Sequence, residues 1–249
     1  MSEKKLEKPA RPRRIRMAAP RMQKFDPTAA EAVERQVYRI VRRSLMTGAI
    51  LPGGKLSTRS LAEALGVSVM PVREALKRLE ADGVLESRAK SAFHIHDLSQ
   101  AEFREVLEIR LRLEGLAVRE AAKNFDADKM RQARALDHRI HSSRTTAQRL
   151  ERNFRFHFFI YQLADMSMTL ALIENMWLRI GPTLNKVVSK VRPEETYAAH
   201  AHLLAALARR DPDGAERALQ RDLLQAAEVI ENQLSTSSAD TNAIQPRVR

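Results

Sequence analysis

The sequence predicts a mainly α-helical protein in two parts, an N-terminal winged helix-turn-helix followed by an all-helical bundle, and three observations carry that prediction. Residues 56–79 hold two short amphipathic runs that pivot at Gly66. Two alternating segments, 84–88 and 92–96, follow them directly. From Ser99 onward the apolar spacing is helical almost without break, and strand-like alternation is absent.

In the first run Leu61, Ala62 and Leu65 recur at helical spacing behind Ser57 or Thr58, either of which can accept bonds from the unpaired amides of the first turn. Gly66 supplies a left-handed helix end, and Ser68 restarts the chain as the next N-cap. Pro71 falls in the first turn of the second run, where its missing amide has no helical partner to lose. Val72, Ala75, Leu76 and Leu79 make one apolar stripe, and Arg73 and Lys77 lie opposite it. A helix of this kind fits the major groove of DNA, where a guanidinium meets guanine edges or phosphates. After Asp82-Gly83, the two alternating segments form a two-stranded wing with Val84, Phe93 and Ile95 inward. A plain helical hairpin with a solvated basic face would share this spacing.

Charge divides the chain in the same place. Of the net +12 on 249 residues, residues 1–97 hold +9 and residues 98–249 hold +3, so the excess sits where a polyanion would be met. Zero cysteines exclude disulfides and thiolate metal sites and suit a reducing cytoplasm. No apolar run approaches the roughly 18 residues that cross a bilayer, and no hydrophobic signal core is present, so a cytoplasmic protein is expected. Residues 1–28, with Lys4, Lys5, Arg11, Arg13, Arg14 and Arg16 among prolines, are expected to be a disordered basic arm that adds phosphate contacts or simply solubility. The helix-turn-helix domain spans 29–97, the bundle 98–235, and 236–249 is expected to be a frayed tail. Candidate bundle helices run over about 99–124, 126–146, 148–165, 168–189, 194–210 and 212–234, divided by turn signals such as Asp211-Pro212-Asp213-Gly214.

Within the bundle, Asn153 and His157 are four apart and share a helix face, and Phe154, Phe156, Phe158 and Phe159 around them imply a largely buried helix. A buried imidazole needs partners for both ring nitrogens. His200 and Asp222 fall on two other helices, and spacing alone does not bring them together. His138 and His141 read as a solvated pair or a surface chelate.

The ordered set Gly48 with Leu51-Pro52-Gly53, Leu61-Ala62, Leu65-Gly66-Val67-Ser68, and Pro71-Val72-Arg73-Glu74-Ala75-Leu76 before Leu79 and Asp82-Gly83 resembles the GntR family of transcription regulators. The likeness is to its FadR branch, in which a winged helix-turn-helix precedes an FCD ligand-binding domain, and it covers about residues 30–235. The resemblance implies DNA contacts from Arg59, Ser68, Arg73 and the wing near Ser91, with Lys77 on the same face. Val69 stands where relatives often carry a basic residue, and suits a thymine methyl instead. In the effector domain the family pattern is an Asp and a His four apart followed by two later His, and the matching positions are Asn153, His157, His200 and Asp222. One carboxylate is retained, moved to the other side of the site. The resemblance thus implies a divalent metal, zinc, nickel or manganese, on His157, His200 and Asp222 with the Asn153 carbonyl oxygen as a weak fourth ligand. A metal-free pocket that binds effector directly is the alternative. Arg110, matched with Glu114, either pairs with an effector carboxylate or forms an i to i+4 ion pair.

The expected function is a homodimeric repressor that binds a palindromic operator and releases it when a small carboxylic acid occupies the bundle, with coupling passing through residues 91–101. An enzyme, in which an open metal activates water, is the competing class, but the chain has no HExxH, nucleophile motif or phosphate loop. A non-specific DNA-coating protein would leave the large second domain without a purpose.

Overall fold

The computed structural model describes residues 22–50, 55–88, 92–187 and 193–243, which are helical apart from one small sheet. The wing tip at Ser91, the 51–53 turn, residues 1–21 of the basic arm and residues 244–249 lie outside the described residues.

The N-terminal domain begins with helix α1 (Val33–Met46), which buries Val37, Ile40, Val41 and Leu45. This stripe packs on α3 (Val69–Ala81), whose Val72, Ala75, Leu76 and Leu79 are fully buried. Burying each such Val, Leu or Ile contributes about 1.5–3 kcal/mol, which fixes the pitch of α3 without using its outer face. Between them, α2 (Thr58–Leu65) starts at Ser57, whose Oγ accepts from the Ser60 N–H at 3.4 Å, and stops at Gly66 with φ +68°. The wing is larger than two strands. β2 (Leu85–Arg88) and β1 (Lys55–Ser57) both pair antiparallel with the central β3 (Ala92–Ile95), with Leu56 and Ser87 on either side of Phe93. Three residues are too few to show alternation, so β1 left no mark in the sequence pattern. Val84, Phe93 and Ile95 point inward as expected.

The bundle comprises α4 (Gln100–Lys123), α5 (Ala127–His141), α6 (Thr146–Gln162), α7 (Ser167–Val187), α8 (Pro193–Ala208) and α9 (Pro212–Ala243). Ser99 and Glu102 form a reciprocal capping box at the start of α4, and Asp126 and Thr145 cap α5 and α6. The long α4 and α9 pack side by side, α8 lies on α9 and α5, and α6 on α5 and α7.

Three boundaries differ from the expected ones. Residues 22–28 are not part of a disordered arm: Met22 and Phe25 pack on the core, and the Asp26 N–H donates to Gln36 Oε1 at 3.3 Å. α9 runs to Ala243, past residue 236, and no Gly or Pro interrupts the chain between Gly214 and Pro246. Conversely α5 stops at His141, short of residue 146, where Ser142 takes the C-cap position.

Candidate functional site

On the N-terminal domain the outer face of α3 is polar and exposed. Arg73 and Lys77 project from it, and Arg59 is exposed in the first turn of α2. Arg73 and Arg59 make no ion pair among the described residues, whereas Lys77 Nζ holds Glu74 Oε1 at 3.1 Å. Ser68 occupies the N-cap position of α3, but its side chain makes no capping bond and is exposed. Val69, the other residue expected at the DNA face, is half-buried and packs on the core at the first position of α3. The cause is helical geometry: at 100° per residue Val69 lies about 70° from the middle of the buried stripe. Met70, one residue on, lies about 170° away and is 61% exposed.

In the bundle, α6, α8 and α9 bring His157, His200 and Asp222 together, with their potential ligand atoms all within 4.8 Å of one another. His157 Nε2 lies 3.4 Å from Asp222 Oδ2, and His200 Nε2 lies 3.9 Å from Asp222 Oδ1. Both imidazoles are buried. The remaining nitrogens are spoken for. His200 Nδ1 meets Asp137 Oδ1 at 2.8 Å, and His157 Nδ1 meets the Tyr161 hydroxyl at 3.2 Å. His200 Nε2 is left buried without a hydrogen-bond partner. An orphaned acceptor of this kind costs free energy unless something fills it, and a cation does. Around a tetrahedral ion with ligands at about 2.1 Å, donor atoms stand about 3.4 Å apart, so the set fits a divalent metal.

A cavity of about 80 Å³ opens beside His157 and Asp222, and Asn153, Arg110, Arg149 and Trp177 also line it. That is space for about two or three water molecules at roughly 30 Å³ each. Arg149, Asn153 and His157 are spaced by four on one face of α6, so a single helix presents a cation, an amide and an imidazole to the cavity. Arg110 is committed elsewhere: its Nε donates to Glu114 Oε1 at 2.7 Å, and the same carboxylate accepts from Trp177 Nε1 at 3.0 Å and the Tyr161 hydroxyl at 2.5 Å. The i to i+4 ion pair is therefore real, and it is buried rather than superficial. Arg149 makes no ion pair among the described residues, and its place in the 149, 153, 157 series was the sequence signal for it.

Burial sets the protonation of this centre. It pushes the His157 pKa well below the ordinary imidazole value, helped by His200 and Arg110, which leaves the ring in the neutral form that ligates metals. Burial likewise raises the Asp222 carboxyl, and it raises the Tyr161 phenol, next to the charge of Glu114, well above its usual value. His141 is not a free surface group: its Nε2 lies 3.4 Å from Asp137 Oδ2, and its ring stacks on Tyr197 with centroids 3.6 Å apart. His202 is exposed and faces away from the centre.

The two domains meet along α1 and α7 rather than only through the 91–101 linker. Arg42 pairs with Glu174 at 2.6 Å, Asn185 Nδ2 donates to the Gly48 carbonyl at 2.6 Å, and Arg179 donates to the Asp82 and Gly83 carbonyls at 3.1 and 3.2 Å. The backbones nearly touch: a Cβ at Gly48 would lie 2.8 Å from the Gly181 carbonyl oxygen, and one at Gly181 2.8 Å from Met46 Cα. The same α7 carries Trp177 into the cavity wall. A direct helix-to-helix contact thus stands beside the 91–101 segment, through which coupling was expected to pass.

Residues 33–95 match the bacterial regulatory proteins, gntR family, and residues 105–225 match the FCD domain. The HTH-type transcriptional regulator McbR of Escherichia coli K12 is 30% identical over 204 residues, covering 80% of this chain and 92% of McbR. The chain belongs to the GntR family, with an FCD effector domain. The HTH-type transcriptional repressor RspR of the same organism is 28% identical over 207 residues, covering 80% of this chain and 90% of RspR. The solved structure of E. coli McbR/YncC superposes with a TM-score of 0.77 at 29% identity, covering 82% of this chain and 99% of that one. This GntR protein is accordingly a DNA-binding transcription regulator and not an enzyme. Among its described residues no helix is long and apolar enough to cross a membrane.

Proposed function

We propose that this regulator is a homodimeric repressor whose operator affinity is set by a small carboxylic acid bound beside a divalent metal in the FCD cavity. The observation that carries the reading is the buried His200 Nε2, unpartnered and facing His157 and Asp222, two residues that line a cavity together with Arg149. His157, His200 and Asp222 would hold the ion, zinc, nickel or manganese, with Asn153 as a weak fourth ligand or as a donor to the effector. When bound, the ion supplies an electrophilic anchor for a carboxylate oxygen. Arg149 adds a second charge partner, in the role first considered for Arg110, whose guanidinium is held by Glu114.

DNA is met by Arg73, Arg59, Ser68 and Lys77, and each copy of a dimer presents α3 to one half-site of a palindromic operator in the cytoplasm. The effector acts only through unequal affinity for the two arrangements of the DNA-binding domains, and about 1–3 kcal/mol of coupling changes affinity roughly 5- to 150-fold. Helix α7 is suited to carry it, because Trp177 lines the cavity and Glu174, Arg179 and Asn185 grip the N-terminal domain.

Elemental analysis of the full-length protein purified without added metal, beside His157→Ala, tests the reading. Stoichiometric metal in the parent and its loss in the variant are expected. Absence of metal from both overturns the metal and leaves Arg149 and the histidines to bind the effector directly.

A further inference from the structure

We propose that Met70 is a specificity-determining residue that reads the C5-methyl group of a thymine in the operator. Met70 stands at the second position of α3 and is 61% exposed, in a domain where the neighbouring apolar side chains Val67 and Val69 pack on the core. Around the helix axis Met70, Arg73 and Lys77 fall within about 60° of one another, and Met70 is the one that points most directly away from the buried stripe. Recognition helices of this motif present their N-terminal residues to base edges, so the deepest position in the groove falls to an unbranched thioether instead of a hydrogen-bonding group. The major groove offers that side chain one apolar feature, the thymine methyl. Methionine fits it because its flexible, polarizable chain adapts to the surface it meets.

The register follows from the helix rise. Three residues separate Met70 from Arg73, about 4.5 Å along the axis, so the thymine lies within about two base pairs of the guanine or phosphate that Arg73 contacts. No polar group competes for the position. Ser68 spends no bond on capping and remains available to a neighbouring phosphate or base, and Glu74 is held by Lys77.

The test uses the full-length protein and binding sites selected from randomised DNA. Each selected thymine is replaced in turn by deoxyuridine, which removes the methyl group and nothing else, and affinity is measured for the parent, Met70→Ala and Arg73→Ala. One methyl is worth about fourfold in affinity per half-site. The parent is expected to lose about that factor at one thymine, and Arg73→Ala to keep the same thymine-over-uracil ratio while binding more weakly. Met70→Ala is expected to bind both bases alike, with an unchanged melting temperature because the side chain is exposed. A selected site in which no deoxyuridine substitution weakens the parent, or a thymine preference that persists undiminished in Met70→Ala, overturns the proposal.

Discussion

Gly181→Ala is expected to destabilise the protein and loosen the DNA-binding domain from the bundle, against the sign that helix propensity predicts. Gly181 lies inside α7, where alanine is favoured over glycine by about 1 kcal/mol. The new Cβ, however, would meet Met46 Cα and the Met46 carbonyl oxygen, each at 2.8 Å, besides the carbonyl oxygen of Leu45. All three are backbone atoms at the end of α1, so no side chain can swing aside, and α1 must lift from α7. Overpacking of that kind costs about 1–3 kcal/mol. Lifting also stretches the Asn185 to Gly48 bond, now 2.6 Å, which adds about 1 kcal/mol. The net loss is about 2 kcal/mol, or roughly 4–8 °C in melting temperature for a chain of this size. Differential scanning calorimetry of parent and variant measures it, with limited proteolysis between residues 46 and 55 as a second readout. A melting temperature that stays level or rises would refute the close approach of α1 and α7, and with it the route assigned to the allosteric signal.

Glu114→Ala leaves Arg110 buried without its carboxylate and strips Trp177 and Tyr161 of an acceptor, so a loss of about 3–5 kcal/mol is expected in urea denaturation. Glu120→Ala, which breaks only an exposed pair with Lys123, should stay near 0–1 kcal/mol, and equal losses would contradict the burial. Asp137→Asn, which weakens the orientation of His200 by the 2.8 Å contact, is expected to lower zinc or manganese affinity about 10- to 100-fold by calorimetry while the metal-free melting temperature holds; unaltered affinity in a metal-binding parent would deny Asp137 that role. His96 joins the wing to the bundle, with Nδ1 at 2.6 Å from Glu86 and Nε2 at 2.9 Å from Glu102. The bond to Glu86 first, and that to Glu102, raise its pKa above the ordinary 6.5, so its contribution is complete below pH 6.5 and is lost as pH rises through the folded value. The melting-temperature gap between the parent and His96→Gln should therefore be widest near pH 6 and close in alkaline buffer, and a gap that is flat with pH would argue against the bridge.

The N-terminal motif was legible because its determinants are local. Gly66, Pro71 and the Val72, Ala75, Leu76, Leu79 stripe each act within a few residues, and the structure places them as the spacing requires. The family resemblance gave Val69 to the DNA face, and the helical periodicity, carried through in angles, adds that Val69 borders the buried stripe while Met70 lies outside it. Helix α1 had an equally regular Val37, Ile40, Val41, Leu45 stripe but no motif to draw attention to it. In the bundle, the fourfold step from Asn153 to His157 was readable, and one further step back would have reached Arg149. The pairing of His141 and His200 through Asp137 was not readable, since α5 and α8 are distant in the chain and nothing local in either announces the other.

What the sequence by itself determined is the order of elements, the helix-turn-helix, and the candidate ligand types, because capping, periodicity and glycine conformation depend on near neighbours. What only the tertiary structure decided is which candidates meet. Packing of α6, α8 and α9 sets His157, His200 and Asp222 around one point, and the backbone approach of Gly48 to Gly181 joins sensor to reader. Those distances depend on how whole helices seat against one another, and a linear pattern carries the periods of the faces but not the register in which they dock.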